Sequence, residues 1–531
     1  MEIRKLLVAN RGEIAARVFR TCRGLGIGTV AVAAPDDSGA FHTRQADEVV
    51  PVAGYLDAGA LVLAAVDAGA DAVHPGYGFL AESASFAEAV EAAGLVWIGP
   101  PPAAIRAAGE KLEAKRLAAA AGVPVLPSGE PDEVGYPLLV KAAGGGGGRG
   151  MRVVRDPVEL EDALAAARRE AQAAFGDDRV FCERWVERAR HVEIQLLADA
   201  HGTVTHLGER ECSVQRRHQK ILEESPSRAL DADLRGRMGD AAVAFAHAVG
   251  YVGAGTAEFL LEEDGAFSFL ELNARIQVEH PVTEAVTGVD LVALQLAIAS
   301  GEPLPAELRS PSGHAVEVRL YAEDPLTFLP RAGRVEHLEL PGGVRVDAGI
   351  EQGDAVPVAY DPLVAKLIAR DEARDASFVR IAEALRRTRV GGVTTNLGFL
   401  RWLVSHPEVR AGRTTTSFLA EHPPLSREAA VPRLWRRGLA GRPPPRVEEA
   451  AHGAAAGGGA TSALSAPMPG VVIRVLAREG ESVEARQPLV VLEAMKMETP
   501  LVSPHAAVVR RVHVVEGDLV GAGAVLVELE E

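Results

Sequence analysis

The stretch GTAEFLLEEDGAFSFLELNARIQVE, residues 255–279, decides how this 531-residue chain is read. Polar and apolar side chains alternate on both sides of Asp264-Gly265, a pair favoured in two-residue hairpin turns. With the turn centred on 264/265, Glu258 and Glu271 fall opposite one another, their Cβ atoms about 5 Å apart on one face. Two carboxylates that close repel unless a cation lies between them or one holds a proton. Oxygen ligands alone favour Mg²⁺ or Mn²⁺ bridging nucleotide phosphates. The competing reading is a solvated sheet face with a weakly disfavoured like-charge pair. If the chain stays extended, Glu271, Asn273, Arg275, Gln277 and Glu279 share one face, and Leu270, Leu272, Ala274, Ile276 and Val278 the other. Five successive hydrogen-bonding groups of both charges read as the wall of an active site.

Upstream, Leu138–Ala143, the glycines 144–148 and Met151–Val154 read as strand, glycine loop, strand. Glycines let backbone N–H groups close on phosphate oxygens. No Gly-Lys-Ser/Thr opens a helix afterwards, so the strand–loop–helix phosphate site is excluded. Lys141 ends the first strand, and lysine is scarce: of 56 basic residues only 5, 111, 115, 141, 220, 366 and 496 are lysine. Where arginine serves as the general surface cation, the remaining lysines are candidates for a compact point charge or an acylatable amine. QRRHQK (215–220) reads by itself as a basic loop. His191, Glu193 and Gln195 alternate with Val192, Ile194 and Leu196, and Glu317, Arg319 and Tyr321 with Val316, Val318 and Leu320. Taken alone, these two faces read as plain surface.

Residues 3–110 alternate short apolar runs with helical patterns, the βαβ rhythm of a doubly wound parallel sheet. Residues 111–300 read as antiparallel sheet with glycine-rich loops, and 311–420 as mixed α and β. Residues 441–463, with a triple proline and GAAAGGG, read as a linker that spans about 75–80 Å extended and about 25 Å on average. Beyond it the tail superposes on itself with a shift of 37 residues. Val471, Val472, Val475 and Val483 fall on Val508, Val509, Val512 and Val520, and Leu489 and Leu492 on Leu526 and Leu529. Two similar half-sheets then form one small β-sandwich, with Lys496 near the connection between them.

With 47% hydrophobic and 24% charged residues the composition is that of an ordinary globular protein. The net charge of −17 argues against nucleic acid or an anionic membrane as the main partner. No uncharged apolar run reaches the length of a membrane span, MEIRKLLVAN is too short in its apolar part for a signal peptide, and three scattered cysteines build neither a disulfide framework nor a zinc site. The expected location is cytoplasmic.

The segments ANRGEIAAR (9–17), HPGYGFL (74–80), KAAGGGGGRGM (141–151), RHVEIQ (190–195), QRRHQK (215–220) and LNARIQVEHPVTE (272–284) resemble biotin carboxylase of the ATP-grasp superfamily. APMPG (466–470) with EAMKM (493–497) is similar to the biotin carboxyl carrier domain, and the whole resembles the alpha chain of an acyl-CoA carboxylase. The resemblance implies an α/β and α+β multidomain chain: a doubly wound α/β domain (1–110), an ATP-grasp domain (111–310), a mixed C-terminal carboxylase domain (311–423), a linker (424–463) and an all-β biotinyl sandwich (464–531). It implies ATP binding by Lys111, Lys141, Gly147, Gly148, Glu183, Arg184, Val186, His191, His218 and Glu258, and Mg²⁺ or Mn²⁺ held by Glu258, Glu271 and Asn273. Lys220, Arg275, Gln277 and Val278 would cradle bicarbonate, Glu279 would deprotonate it for attack on the γ-phosphate, and Arg319 would stabilise the biotin enolate. Lys496 would carry biotin as an amide.

Arg184 stands where the family commonly has Lys, and Ala274 where it has Thr or Pro. Only about forty residues (424–463) separate carboxylase and carrier, where many such chains hold a whole bridging domain. The implied partners are a separate carboxyltransferase beta subunit, a biotin protein ligase and a second copy of the carboxylase part. A 2-oxo-acid or urea-type acceptor is the alternative to an acyl-CoA. Two rivals differ in class: another ATP-grasp ligase, which leaves the tail without a role, and a non-enzymatic carrier or scaffold, which leaves the polar wall without one.

Overall fold

The computed structural model describes residues 2–143, 151–175, 177–216, 219–308, 310–357, 359–423, 461–466, 470–494, 497–516, 518–520 and 524–530. Gly147, Gly148, His218, Lys496 and residues 424–460 of the linker lie outside these residues, whereas 461–463, read from the sequence as the end of the linker, already belong to the first strand of the tail, paired with its last strand.

The chain opens with β1 (Lys5–Val8), α1 (Gly12–Leu25), β2 (Gly28–Ala33), β3 (Glu48–Pro51), α2 (Ala58–Asp67), β4 (Ala72–His74), α3 (Ala84–Ala92) and β5 (Val96–Trp97). The strands form a parallel sheet in the order β3-β2-β1-β4-β5, the doubly wound arrangement expected. Leu6, Leu7 and Val8 are all fully buried because a parallel sheet is covered on both faces. Ile14, Val18, Phe19 and Cys22 give α1 its apolar stripe, and Gly26 ends the helix at φ 73°, a left-handed backbone that glycine adopts without steric cost.

After α4 (Pro102–Gly109) and α5 (Lys111–Ala120) comes a small antiparallel sheet of β6 (Ser128–Gly129), β7 (Leu138–Ala142), β8 (Arg152–Val154) and β9 (Val180–Arg184), with α6 (Pro131–Val134) and α7 (Leu160–Phe175) between its strands. β7 and β8 pair with Leu138 opposite Val154, so the described ends of the expected strand–glycine–strand unit form an antiparallel pair.

A second sheet of eight antiparallel strands carries the site. It is assembled from β10 (Arg190–Ala198), β11 (Val204–Arg216), β12 (Gln219–Ser225), β13 (Gly253–Leu261), β14 (Phe267–Asn273) and β15 (His314–Tyr321), with α8 (Ala232–Ala248), α9 (His280–Thr287) and α10 (Leu291–Ala299) interspersed. The short strands β16 (Gly333–Arg334), β17 (His337–Glu339), β18 (Arg345–Ala348) and β19 (Ala355–Val356) precede β20 (Leu363–Asp371). The order is β14-β13-β10-β11-β12-β15-β20-β18. β12 pairs with β15, so one sheet runs through position 310, where the sequence places a domain boundary. The two polar faces read above as surface are inside: Glu193, Gln195 and Glu317 are fully buried, and His191, Arg319 and Tyr321 nearly so. Alternation shows which residues share a face but not what covers it.

The tail forms two four-stranded sheets. The strands are β22 (Thr461–Ser465), β23 (Gly470–Val475), β24 (Ser482–Val483), β25 (Pro488–Ala494), β26 (Met497–Val502), β27 (Ala507–Val512), β28 (Leu519–Val520) and β29 (Val525–Glu530), counting past the edge strand β21 (Arg389–Gly391). The sheet orders are β22-β29-β27-β24 and β26-β25-β23-β28. The 37-residue shift maps one order onto the other, and the superposed Val472/Val509, Leu489/Leu526 and Leu492/Leu529 are all core residues. Each sheet takes two strands from each half, so the halves interlock instead of each forming its own sheet. β25 and β26 are partners, with Ala494 opposite Met497 on either side of positions 495 and 496.

Candidate active site

The β13–β14 hairpin sets Glu258 opposite Glu271, but not through a two-residue turn. Glu262 N–H donates to Ala266 O, and Gly265, at φ 85°, donates to Glu262 O: the loop is the three-residue kind with a left-handed glycine. That displaces the pairing by one residue at Phe259–Phe269, and a bulge at Leu270 restores it at Glu258–Glu271. Two departures cancel.

Glu258 accepts from Lys220 Nζ at 2.8 Å, from Asn273 Nδ2 at 2.9 Å and from Gln277 Nε2 at 3.4 Å, and lies 3.0 Å from His191 Nε2. Burial pushes its carboxyl up, but Lys220 and His191 outweigh burial and hold it far below the ordinary carboxylate range. Glu271 has neither a hydrogen bond nor an ion pair among the described residues. Burial and the neighbouring Glu258 raise its carboxyl, against the pull of Lys111 and Lys141. An ionised carboxylate beside an open one that is hard to ionise, with Asn273 adjacent, is an all-oxygen set that a hard divalent cation would relieve.

β14 ends at Asn273, yet the alternation persists: Ala274 and Ile276 enter the core while Arg275 and Gln277 stay on the polar side. Arg275 donates to Asn273 Oδ1 at 2.9 Å and to Gln277 Oε1 at 3.0 Å, and lies 3.0 Å from Glu82. Glu279 leaves the strand direction and stands just before α9, its side chain making no capping hydrogen bond to the helix. It accepts from Lys220 Nζ at 2.7 Å and from Arg319 Nη2 at 3.0 Å. Burial raises its carboxyl, and Lys220, Arg319 and Arg210 together override burial and hold it well below the ordinary range. Val278 offers its backbone carbonyl to the fully buried Lys366 at 2.8 Å.

Beneath this wall lies a support the sequence reading missed. Glu193, on β10, is fully buried and accepts from both Lys220 and Arg210. Arg210, on β11 and fully buried, also donates to Gln195 at 2.7 Å and to Thr256 and Thr283 at 3.0 Å. The Lys220 ammonium thus touches three carboxylates, those of Glu193, Glu258 and Glu279.

The small sheet carries the other group of expected residues. Lys141 donates to Glu183 at 2.8 Å, and the buried Lys115 ion-pairs with the same carboxylate. Burial and Lys111 lower Lys141 to about 8. Arg184 bonds Glu262 through its side chain, while its backbone N–H donates to Pro127 O; Val186 is half-buried just beyond β9. Lysine scarcity was the one signal for Lys115; Glu193 was visible only as part of a face read as surface, and nothing in the sequence pointed to Arg210.

A glycine-linked strand pair, buried lysines and an oxygen-ligand pair on an antiparallel sheet define a nucleotide-phosphate site of the ATP-grasp class. Residues 2–105 match the family described as Biotin carboxylase, N-terminal domain, and 110–307 the Carbamoyl-phosphate synthase L chain, ATP binding domain. Residues 317–421 match the Biotin carboxylase C-terminal domain, and 462–529 the domain of Biotin-requiring enzymes. The chain belongs to the biotin carboxylase family, with a biotinyl domain following. It is 46% identical over 447 residues to the biotin carboxylase of Nostoc sp., covering 79% of this chain and 99% of that one. It is 47% identical over 445 residues to a mitochondrial methylcrotonoyl-CoA carboxylase subunit alpha of Oryza sativa, covering 79% of this chain and 60% of the relative. The chain thus spans about three fifths of that relative's length. The biotin carboxylase domain of the Hydrogenobacter thermophilus 2-oxoglutarate carboxylase, solved with MgADP and bicarbonate, superposes with TM-score 0.78 at 41% identity, covering 80% of this chain and 98% of that one. Among the described residues no single helix is long and apolar enough to cross a membrane.

Proposed function

We propose that the chain uses ATP and bicarbonate to carboxylate biotin borne on Lys496, as the first half-reaction of an acyl-CoA carboxylase whose carboxyltransferase is a separate subunit. The observation that carries this reading is the contact of one ammonium, Lys220, with both Glu258 and Glu279, beside Arg275 and Arg319. Lys220 and Arg275 hold the bicarbonate anion, with Gln277 and the Val278 backbone shaping the pocket. Glu279, kept ionised by its cations, takes the bicarbonate proton, a step in which a placed base contributes about 10²–10⁴-fold. The resulting dianion attacks the γ-phosphate of ATP, and Lys111 and Lys141 offset the charge developing on the phosphoryl oxygens. Glu258, Glu271 and Asn273 would hold Mg²⁺ or Mn²⁺, which supplies charge neutralisation of the phosphates. ADP leaves in that attack; biotin, when bound, would supply the ureido nitrogen that accepts the carboxyl group as inorganic phosphate departs and takes the N–H proton, and Arg319 presents positive charge to the ureido oxygen.

The acceptor is proposed as a branched acyl-CoA of the methylcrotonoyl type, supported by likeness to alpha subunits of that enzyme from plants, a slime mould and rodents. Similarity to the 2-oxoglutarate carboxylase domain favours a 2-oxo acid as the second reading. The test has two parts. Bicarbonate-dependent ATP cleavage should rise with added free biotin, and intact mass should show one biotin adduct that disappears in Lys496→Arg. ATP cleavage indifferent to bicarbonate would overturn the carboxylase reading; an adduct surviving Lys496→Arg would overturn the carrier assignment. Carboxylation of 2-oxoglutarate, but of no acyl-CoA, with candidate partner subunits would replace the acceptor.

A further inference from the structure

Glu223 on β12 and Glu317 on β15 sit directly opposite one another in the antiparallel ladder, both fully buried. Opposed positions bring Cβ atoms to about 5 Å, a spacing at which two buried carboxylates cannot both be charged at low cost. Their hydrogen bonding is incomplete in a telling way. Glu223 receives Arg319 Nε on Oε1 at 2.7 Å, while its Oε2 has no hydrogen-bond partner among the described residues. Both oxygens of Glu317 also lack one. Three buried acceptors face each other without a donor, and a carboxylate so placed carries the full desolvation cost of its charge.

We propose that Glu317 is a carboxylic acid in the working enzyme and donates its proton to Glu223, making a buried acid–carboxylate pair that positions Arg319. One proton turns Glu317 into a donor and gives the orphaned Glu223 Oε2 its partner. The charged groups facing Glu317 are Glu223 from β12, Arg319 from its own strand, Lys366 from β20 and Glu279 at the start of α9. Burial raises Glu317 well above the carboxylate range against the pull of Lys366, with Glu223 adding to the rise. Burial likewise lifts Glu223, to about 7, and Arg319 opposes it. His280, next on α9, is held neutral by burial and the cations around it.

The consequence falls on Arg319, which bridges Glu223 and Glu279. A third ionised carboxylate at 317 would draw the guanidinium toward the β12–β15 ladder and cancel the charge it presents to substrate. An acid at 317 leaves Arg319 with two counter-charges, one of which, Glu279, is neutralised when it takes up the bicarbonate proton. Glu317 is on this view a positioning residue, and the assignment rests on the role of Arg319 proposed above.

The full-length protein serves for the test. Infrared spectra at neutral pH should show the carbonyl stretch of a buried carboxylic acid that is missing from Glu317→Gln. Glu317→Ala should lower kcat for bicarbonate-dependent ATP cleavage about 10- to 100-fold with little change in KM for ATP. Glu317→Gln, whose amide N–H can donate to Glu223, should restore turnover to within a few-fold of the wild type. No carbonyl band lost on substitution, or a Gln variant no better than Ala, would overturn the proposal. The infrared result does not depend on the reaction: a band present without bicarbonate-dependent turnover removes the carboxylase reading and leaves the pair, and a missing band removes the pair whatever the turnover.

Discussion

Replacing Lys220 by Met takes one ammonium from three carboxylates at once. Glu279, 2.7 Å from Nζ, keeps Arg319 at 3.0 Å, and Glu193 keeps Arg210. Coulomb's law at 2.7 Å and an effective dielectric of about 20 gives about 6 kcal/mol for the lost contact. That is an upper bound, because a single close opposite charge depresses a carboxyl by about 1–3 pKa units, or about 1.4–4 kcal/mol. The base role proposed for Glu279 requires its ionised form, so its depressed pKa would set an acid limit below which turnover falls. In Lys220→Met that limit should move up by about 1–3 pH units. Loss of a cation from the bicarbonate site should also cut turnover about 10²–10³-fold. The stability signs follow the same charges. Glu279, lowered in the fold, contributes stability at neutral pH that is lost as pH falls through its folded pKa; Lys220, raised in the fold, contributes stability that is lost only as pH rises past the ordinary lysine range. The assay is the pH profile of bicarbonate-dependent ATP cleavage. An acid limb that stays in place, with turnover reduced less than about tenfold, would refute the role given to this ammonium.

Glu271→Gln should reduce ATP cleavage about 10²-fold or more while thermal stability holds or rises slightly, because Glu271 makes no hydrogen bond or ion pair among the described residues and its charge repels Glu258; near-normal ATP cleavage would make the pair plain surface. Lys115→Met leaves Glu183 to Lys141 alone and should raise KM for ATP about tenfold with a smaller effect on kcat, measured by steady-state kinetics; a change in kcat alone would place Lys115 elsewhere in the reaction. Deleting residues 443–459 leaves 441, 442 and 460 of the 441–463 tether outside β22, about 10 Å extended. Carboxylation of free biotin should survive that deletion and overall acyl-CoA carboxylation with the partner subunit should stop; survival of both would mean that the carrier does not travel on this tether.

What the sequence made legible was local. The N-terminal parallel sheet followed from apolar runs such as Leu6–Val8 alternating with helical stripes, and the tail from its own repeat. The pairing of Glu258 with Glu271 followed from counting across a turn, although the count is right only because a longer loop and a bulge at Leu270 offset one another. What stayed hidden was non-local. β12 lies between β11 and β15, some ninety residues further on, and no period in the sequence announces that neighbour. Glu193 and Glu317 therefore looked like exposed polar positions and Arg210 and Glu223 drew no reading at all, when all four are fully buried. Buried polar networks escape a pattern reading because their partners are distant in the chain.

The scarcity of lysine has a consequence for chemical selectivity. Lys115, Lys141 and Lys366 are buried, and Lys5, Lys111 and Lys220 are half-buried, so none of the six described lysines stands fully in water. Lys5 and Lys220 are in addition tied to carboxylates, and those around Lys220 raise its ammonium well above the ordinary lysine range. A ligase that joins a carboxyl group to an amine discriminates among the amines it can reach, and the body of this protein offers it almost none. Arginine carries the surface charge and is inert to acylation. If Lys496 is the biotin carrier proposed above, its selection is made partly by subtraction: the described lysines offer few competing nucleophiles.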